Sequence, residues 1–458
     1  MLRNVLRSPL PGLLGVALVS SGVLAIDCGS VSITSAADAE ILRQSCPTVT
    51  GSITIGPFTQ PATQHINLDG VAVIQGDLQS YENDINYETV ASSPFTVSST
   101  TLREVHGAVD FARGATQLWN LSLPNLTAVT GSFSVSSAPI SYLDITSLEF
   151  ASYIAIQAQN LTTLRHTKLT NITSLNIQSV QVNSIDSFLN NAIDVENVYV
   201  AGPLPNIDKI TIGFPSVISL TISASVNVTL GAASTTKMDL FHLNLGGGFT
   251  GVNRNPVLQS LTGYSLHLSD TALTRLELPF DNLGFLWLGY DTEDSTLEQI
   301  RLPPVAVNWT SSNGFWLITE SSPSLNLSSQ YGTDDAGNRI QTWYWPTNMT
   351  SIEIDNTIVG NDFFETFVSQ QMKPLTSTPP PAILEYFTVT PTANSNFNCT
   401  PFDTLRGMGR LPSSATYYTC NNAMASESTD SGSNAIRVPY FINVGSLLGL
   451  ILLVVLCR

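Results

Sequence analysis

Closely spaced carboxylates are the first residues in this sequence that could do chemistry. Hydrolysis of a glycosidic bond uses two carboxyl groups about 5–10 Å apart. Four acids follow the apolar segment Leu286–Leu288 in close succession: Asp291, Glu293, Asp294 and Glu298. They lie in a polar stretch whose spacing does not match a calcium-binding loop. We therefore interpret them as a solvated turn.

Ring-bearing side chains are the second group. Five of them lie in the middle of an apolar-x-apolar triplet or just before one: Tyr199, His242, His267, Phe285 and Trp287. If the triplets are strands, these rings point outward on one face, where they could stack on sugars or contact a partner. The alternative is that aromatics simply favour strands, or that a loop covers them as ordinary core.

Motifs for other chemistry are missing from the sequence. It contains no G-x-S-x-G, no H-E-x-x-H, no phosphate-binding loop and no zinc-ligand spacing. The five histidines are scattered along the chain: His65, His106, His166, His242 and His267. The sequence therefore predicts a non-enzymatic protein without a metal or a cofactor, and a glycoside hydrolase or transglycosylase remains the enzymatic alternative.

A repeat must position these side chains. Eight aliphatic or aromatic triplets recur every 20–23 residues, starting at Phe133, Ile154, Leu175, Val198, Leu220, Leu243, Leu266 and Leu286. This period is typical of leucine-rich and β-helix coils, which contribute one short strand each and bury their apolar sides by stacking. An antiparallel sandwich, the alternative, has turns every 8–12 residues. The sequence thus predicts an all-β parallel β-helix, a leucine-rich-like solenoid, over 26–420.

The two ends of this repeat differ from its middle. The N-terminal part repeats the phrase x-G-x-aliphatic around Gly51, Gly76, Gly107 and Gly131, where we expect a turn or bulge entering the strand, a place that suits glycine because it tolerates positive φ. After residue 290 the rhythm loosens, and Trp316–Ile318 and Ile352–Ile354 are candidates for further coils. A solenoid also needs caps on its first and last coils.

Four cysteines lie where such caps are expected: Cys28, Cys46, Cys399 and Cys420. Four cysteines allow three pairings, and the pairing of neighbours closes two short loops. A metal site is the alternative, but there is no C-x-x-C and no adjacent histidine. The sequence therefore favours two disulfide-stapled caps.

Composition narrows the class of protein. The chain has 458 residues, a net charge of −17, only 12% charged residues and 43% hydrophobic ones. Such a composition excludes intrinsic disorder and argues against nucleic acid as a partner. Nine N-x-S/T sequons, each a predicted N-glycosylation site, fit a secreted glycoprotein: Asn120, Asn125, Asn160, Asn171, Asn227, Asn308, Asn326, Asn348 and Asn398.

The N-terminal segment 1–25 has the pattern of a secretory signal peptide. Arg3 and Arg7 precede a short apolar core, and the segment Val23–Ala25 supplies the small residues of a cleavage site. The alternative, a membrane anchor, needs a longer apolar core.

The C-terminal segment has the pattern of a GPI-attachment signal. The small trio Ser431, Gly432 and Ser433 precedes an apolar run over 444–456 that nearly ends the chain. We expect attachment at Ser431, a short Ser/acidic stem over 421–431 and a propeptide over 432–458. The alternative is a single-pass helix over 438–456, against which Asn443 in that span counts. Without both ends the net charge becomes −21.

The cysteine frames carry a resemblance to a known family. The frames are Cys28-x-x-Val31-x-Ile33, Cys46-x-x-Val49-x-Gly51-x-Ile53, the segment Asn398–Asp403 and the segment Tyr418–Cys420. Together with the coil period they resemble the fungal GPI-anchored cell-wall proteins built on receptor L-domain repeats, the yeast cell-wall-integrity and sporulation group. The resemblance implies an L-domain fold and a role in cell-wall organisation and integrity.

One departure concerns the stem, which is long and Ser/Thr-rich in that family and is reduced here to Ala425–Ser431. The resemblance therefore implies membrane anchoring more than covalent transfer to wall glucan. We expect a glycoprotein on the outer face of the plasma membrane, secreted through the ER and tethered by its GPI lipid. The expected partners are wall polysaccharide or wall proteins. The alternatives are a surface adhesin or receptor-like ligand-binding module and a wall-glucan remodelling enzyme.

Overall fold

The computed structural model describes residues 28–423, with gaps at 59–61, 81–92, 113–116, 138, 168, 192, 290–295, 311–313, 321, 323, 335 and 378–380. The predicted signal peptide, most of the stem and the whole anchor signal, including Ser431, Gly432 and Ser433, lie outside these residues. So do Asp291, Glu293 and Asp294.

The described chain is mainly β, with 45% of residues in strands and 9% in helices. The first sixteen strands are β1 (Val31–Ile33), β2 (Thr48–Val49), β3 (Ile53–Ile55), β4 (Gln64–Asn67), β5 (Val73–Ile74), β6 (Leu78–Ser80), β7 (Phe95–Ser98), β8 (Glu104–Val105), β9 (Val109–Phe111), β10 (Leu118–Ser122), β11 (Ala128–Ser136), β12 (Tyr142–Asp144), β13 (Phe150–Gln157), β14 (Thr163–Arg165), β15 (Ser174–Gln178) and β16 (Val195–Ala201).

The other sixteen strands are β17 (Lys209–Ile212), β18 (Ser216–Ser223), β19 (Asn227–Leu230), β20 (Lys237–Gly246), β21 (Gly251–Arg254), β22 (Ser260–Leu268), β23 (Arg275–Glu277), β24 (Asn282–Leu288), β25 (Gln299–Arg301), β26 (Phe315–Thr319), β27 (Asn326–Ser329), β28 (Tyr331–Thr333), β29 (Arg339–Gln341), β30 (Met349–Asp362), β31 (Tyr386–Pro391) and β32 (Tyr418–Cys420). The helices are α1 (Ala36–Ser45), α2 (Asp186–Leu189), α3 (Glu365–Gln371) and α4 (Thr400–Gly407), with a 3₁₀ turn at Pro304–Asn308.

One large parallel sheet runs the length of the molecule, and we call it the main sheet. Its strands pair in chain order: β1, β3, β6, β9, β11, β13, β15, β16, β18, β20, β22, β24, β26, β30, β31 and β32. All eight predicted triplets lie in these strands. Because the pairing is parallel, the antiparallel sandwich is wrong for this sheet.

Smaller parallel sheets form from the strands between those of the main sheet. One contains β4, β7, β10, β12 and β14, a second contains β17, β19 and β21, and a third contains β23 and β25. Between Ala128 and Gln178 the chain alternates between the main sheet and the first of these, from β11 through β12, β13 and β14 to β15. The apolar side chains of the sheets meet in one continuous core.

The inward side chains of the main sheet stack on their counterparts one repeat away. Leu220 lies beside Leu243, which lies beside Leu266, and all three are buried. The candidate coil at Trp316 continues the sheet in the phase opposite to the predicted one, since Leu317 aligns with Leu286 inside while Trp316 and Ile318 lie on the outer side. Trp316 therefore belongs to the outer face.

The repeated glycines form a ladder rather than positive-φ turns. Gly76 N–H donates to the Gly51 carbonyl at 3.0 Å, Gly107 to Gly76 at 3.1 Å and Gly131 to Gly107 at 3.0 Å. None of the four has positive φ, whereas the register between β11 and β13 shifts between Val129 and Ser132, as expected for a bulge at Gly131. A β-carbon on Gly107 would lie 2.7 Å from the Gly76 carbonyl carbon. Close approach of backbones in successive layers therefore excludes a side chain there.

Both predicted disulfides are confirmed, each beside a helix at one end of the main sheet. Cys28–Cys46 brackets β1 and α1, and Cys399–Cys420 joins the start of α4 to β32. Helix α1 begins where the Ser35 hydroxyl accepts a hydrogen bond from the Asp38 N–H at 3.3 Å.

The glycine ladder gives a stability test. Replacement of Gly107 by alanine is expected to lower the free energy of unfolding by about 1–3 kcal/mol, because the new methyl group overlaps the Gly76 backbone. The matched control is Gly407→Ala in α4, where a β-carbon meets no atom within 4 Å, and it should be neutral or mildly stabilising. Equal free energies of unfolding for the two variants, measured by urea denaturation, would contradict the conclusion that close backbone approach excludes a side chain at Gly107.

Candidate functional site

The outer face of the main sheet carries rings on the four neighbouring strands β20, β22, β24 and β26 and one more ring on β16. We call these eight outward side chains the aromatic face: Tyr199, Phe241, His242, Tyr264, His267, Phe285, Trp287 and Trp316. Register places His242, Ser265, Phe285 and Trp316 in one row across β20, β22, β24 and β26. A second row contains Tyr199, Thr221, Asn244, His267 and Trp287.

Four rings in the middle of this face contact one another and form what we call the central ring cluster. His267 lies 4.8 Å from Trp287 and 5.8 Å from Phe285, measured between ring centroids. Phe285 in turn lies 5.9 Å from Trp316. Three of these residues were predicted as a ligand face, and Trp316 completes the cluster because β26 has the phase opposite to the predicted one.

A second group, the exposed ring cluster, contains His242 and two residues that the sequence prediction missed. Phe241 and Tyr264 stack nearly parallel, 4.6 Å apart at 6°, with 49% and 37% of their surfaces exposed. His242 meets the Phe241 ring edge-on at 4.5 Å. The detectable pattern was the broken alternation Leu240-Phe241-His242-Leu243, which puts two consecutive residues outside.

Tyr199 lies apart from both clusters. It occupies the same outward row as His267 but three strands away, which is about 14 Å at the strand spacing of a sheet. Thr221 and Asn244 fill the row between them, and the Asn244 amide donates to the Thr221 hydroxyl at 3.1 Å. The five predicted rings thus share one face, and four of them belong to ring clusters.

The two histidines of the face favour their neutral forms. Burial, with a smaller contribution from the neighbouring His242, lowers the pKa of His267 from 6.5 to about 4. Burial also lowers the pKa of His242, whose Nδ1 lies 2.6 Å from the buried Ser265 hydroxyl. At neutral pH His267 therefore adds a flat, uncharged ring to the central ring cluster.

Three carboxylates adjoin the aromatic face, and we call them the carboxylate edge: Glu320, Glu353 and Asp355. Glu353 lies in the outward row of Trp287, two strands further along. Burial raises the pKa of Glu353, and the negative charges of Glu320 and Asp355 raise it further. Sequence analysis missed this group, because 33 positions separate Glu320 from Glu353 along the chain.

Two cavities lie away from this face. One of about 270 Å³ is lined by Glu298, Arg275, Tyr331 and Trp343 among others. The other, of about 700 Å³, lies along the segment Gly202–Asp208. Among the residues that the structure describes, the lining of the first contains one carboxylate, Glu298, and that of the second contains one, Asp208.

The sequon asparagines surround the aromatic face without entering it. Seven are exposed and two, Asn227 and Asn348, are half-buried. Asn120 and Asn227 lie in the smaller sheets, and Asn326 lies in β27, which pairs with the C-terminal part of β30. None of these nine asparagines is one of the residues of the aromatic face.

No family model matches this chain, and no curated protein or solved structure matches it. Among the residues from 28 to 423 that the structure describes, no helix has the length and hydropathy needed to cross a bilayer. Within the same residues, no three His, Cys, Asp or Glu side chains are grouped closely enough to hold a metal ion.

The lowered pKa of His267 predicts a specific loss of stability in acid. The unfolded chain binds the proton below about pH 6.5, whereas the folded chain binds it only near pH 4. The contribution of the neutral His267 ring to the free energy of unfolding is complete above pH 6.5. It should therefore fall by about 3 kcal/mol as the pH drops to 4.

Unfolding by denaturant between pH 7 and pH 4 measures this loss, and the difference between wild type and His267→Gln isolates it from other titrating groups. The glutamine variant should lose less stability over this range. Identical pH dependence in the two proteins would show that the His267 ring is solvated.

Proposed function

We propose that this protein is a non-enzymatic, GPI-anchored glycoprotein of the fungal cell surface whose aromatic face binds wall polysaccharide and so supports the wall. The observation that carries the proposal is that the central and exposed ring clusters, both uncharged at neutral pH, lie on the same outer face of neighbouring strands. Soluble proteins seldom expose contiguous apolar surface without a partner. Sugar rings have apolar C–H faces that pack on aromatic rings, and their hydroxyls can bond to Thr221 and Asn244 nearby.

The proposed fold is a receptor L-domain type β-solenoid. In support, the strands of the main sheet pair in chain order, and the intervening strands form their own parallel sheets. The cysteine frames at both ends add to the resemblance to the fungal cell-wall family. Such a stack is a rigid, elongated scaffold, and its flat outer side suits an extended polymer better than a small ligand.

The distribution of sequons supports the surface location. All nine lie where an attached sugar can reach water, and none lies on the aromatic face. The signal peptide over 1–25 and the GPI signal around Ser431 are expectations from sequence that agree with this route. Together they favour a position for the aromatic face outside the plasma membrane, close to the wall.

A protein ligand is the second candidate, and one observation favours it. Ile218 neighbours Phe241 on the adjacent strand and is 50% exposed. An aliphatic side chain offers little to a sugar ring but packs well in the apolar centre of a protein interface. A receptor-like or adhesive role would use the exposed ring cluster for this contact.

Polysaccharide binding can be tested by removing single rings. Trp287→Ala and Phe241→Ala should each weaken binding to insoluble wall β-glucan and chitin about tenfold, which is about 1.4 kcal/mol. The matched control is Trp119→Ala, since Trp119 is 45% exposed on β10 in a different sheet.

Sedimentation of the purified, folded proteins with each polymer measures the bound fraction. Binding that survives both face variants, or that the Trp119 control weakens equally, would contradict the proposal. Wild-type protein that binds no wall polymer would favour the protein-ligand alternative.

The anchor can be tested on intact cells that express the full chain. Phosphatidylinositol-specific phospholipase C should release the wild-type protein. Replacing the trio Ser431, Gly432 and Ser433 by leucines should abolish surface attachment, because the attachment site requires small residues. Alanines at the same three positions are the matched control and should preserve release. Resistance of the wild-type protein to the enzyme, with retention at the membrane, would instead support the single-pass helix.

A further inference from the structure

The aromatic face continues directly into the carboxylate edge. The outward row that contains Trp287 passes through Ile318 to Glu353 on β30. Two strand spacings separate Trp287 from Glu353, which is about 10 Å. A polymer that lies on the central ring cluster along the stack therefore reaches Glu353 within two or three sugar units.

The geometry of β26 and β30 places all three carboxylates on the outer side. Asp355 lies two residues after Glu353, so both side chains leave the same face of the strand. Glu320 follows Thr319, whose partner is Ile354, and therefore lies beside Asp355 on the neighbouring strand. The other neighbour of Glu353 is Thr388 on β31, which is uncharged.

Glu353 has no cationic partner among the residues that the structure describes, although it is half-buried. Partial burial beside two like charges costs free energy, and the raised pKa of Glu353 expresses that cost. A cationic group on a ligand would offset this free-energy cost.

We propose that the aromatic face binds an amine-bearing polysaccharide, a polymer of unacetylated glucosamine, with its sugar rings on the central ring cluster and its ammonium groups at the carboxylate edge. This inference rests on the proposed function and adds the chemical class of the ligand. Charge complementarity selects this occupant over a neutral glucan. The extended row of rings selects a polysaccharide over a basic peptide.

The test compares two ligands that differ only in the acetylation, and hence the charge, of their amines. Isothermal titration measures the affinity of a glucosamine hexamer and of an N-acetylglucosamine hexamer, at a pH low enough to protonate the sugar amines and high enough to keep Glu353 ionised despite its raised pKa. The wild-type protein should bind the glucosamine hexamer at least about tenfold more tightly. Added salt should reduce this preference, because it screens exposed charges.

Glu353→Gln should remove the preference by weakening the binding of the glucosamine hexamer. Asp355→Asn, a second variant on the same strand, should reduce the preference in the same direction. The matched control is Glu277→Gln, which removes an exposed carboxylate from β23 and should keep the wild-type preference.

The outcomes separate the two proposals. If both hexamers bind with equal affinity, or if Glu353→Gln keeps the preference, the carboxylate edge does not select amines, while polysaccharide binding stands. If neither hexamer nor any neutral wall polymer binds, both proposals fail. If an arginine-rich peptide binds the face and neither hexamer does, the ligand is a protein and this inference is overturned.

Discussion

The register of the main sheet is the constraint on which the rest of the structure depends. Each strand bonds to the strands of the neighbouring repeats, so every side chain lies between its counterparts one repeat before and one after. An inward position must therefore be apolar in every repeat, since an unpaired polar group there is costly. Thr319 satisfies the constraint because its hydroxyl pairs with that of Thr357 at 3.0 Å, and both are buried. Outward positions need not be apolar, and the rings of the aromatic face lie at such positions.

At each end of the main sheet, the last strand has a neighbour on one side only, so the backbone N–H and C=O groups of its other edge lack strand partners. Within the described chain, β1 pairs only with β3 and β32 only with β31. The N-terminal half is drawn tight by the glycine ladder, whereas the C-terminal end is filled by large rings such as Phe364 and Phe402, 5.0 Å apart. A disulfide at each end holds the adjoining helix in place.

Sequence predicted the parts of the fold that repeat and missed the parts where the repeat breaks. The 20–23 residue spacing of triplets located the main sheet, because a buried row must recur once per layer. It could not reveal the phase of Trp316, since the sequence Phe-Trp-Leu-Ile-Thr is apolar in both phases. Phe241 and Tyr264 were missed because a break in the alternation brings an extra residue outside. The carboxylate edge was invisible because β27, β28 and β29 separate Glu320 from Glu353 along the chain, while register brings their strands together.

Because this chain contains few charged residues, few cationic side chains can pair with the carboxylates of the carboxylate edge. A surface rich in lysine and arginine would pair such carboxylates through flexible side chains, at little net gain or cost. Here only 18 cationic side chains face 35 acids, and Arg254 and Lys237 are already paired with Asp281 and Asp239. The sheet therefore holds Glu353 beside two like charges and next to neutral rings. This electrostatic repulsion lowers the stability of the unliganded protein slightly. In the proposed complex, a cationic group of the ligand offsets the repulsion. The repulsion that destabilises the unliganded face would thus be the source of the binding energy for a cationic ligand.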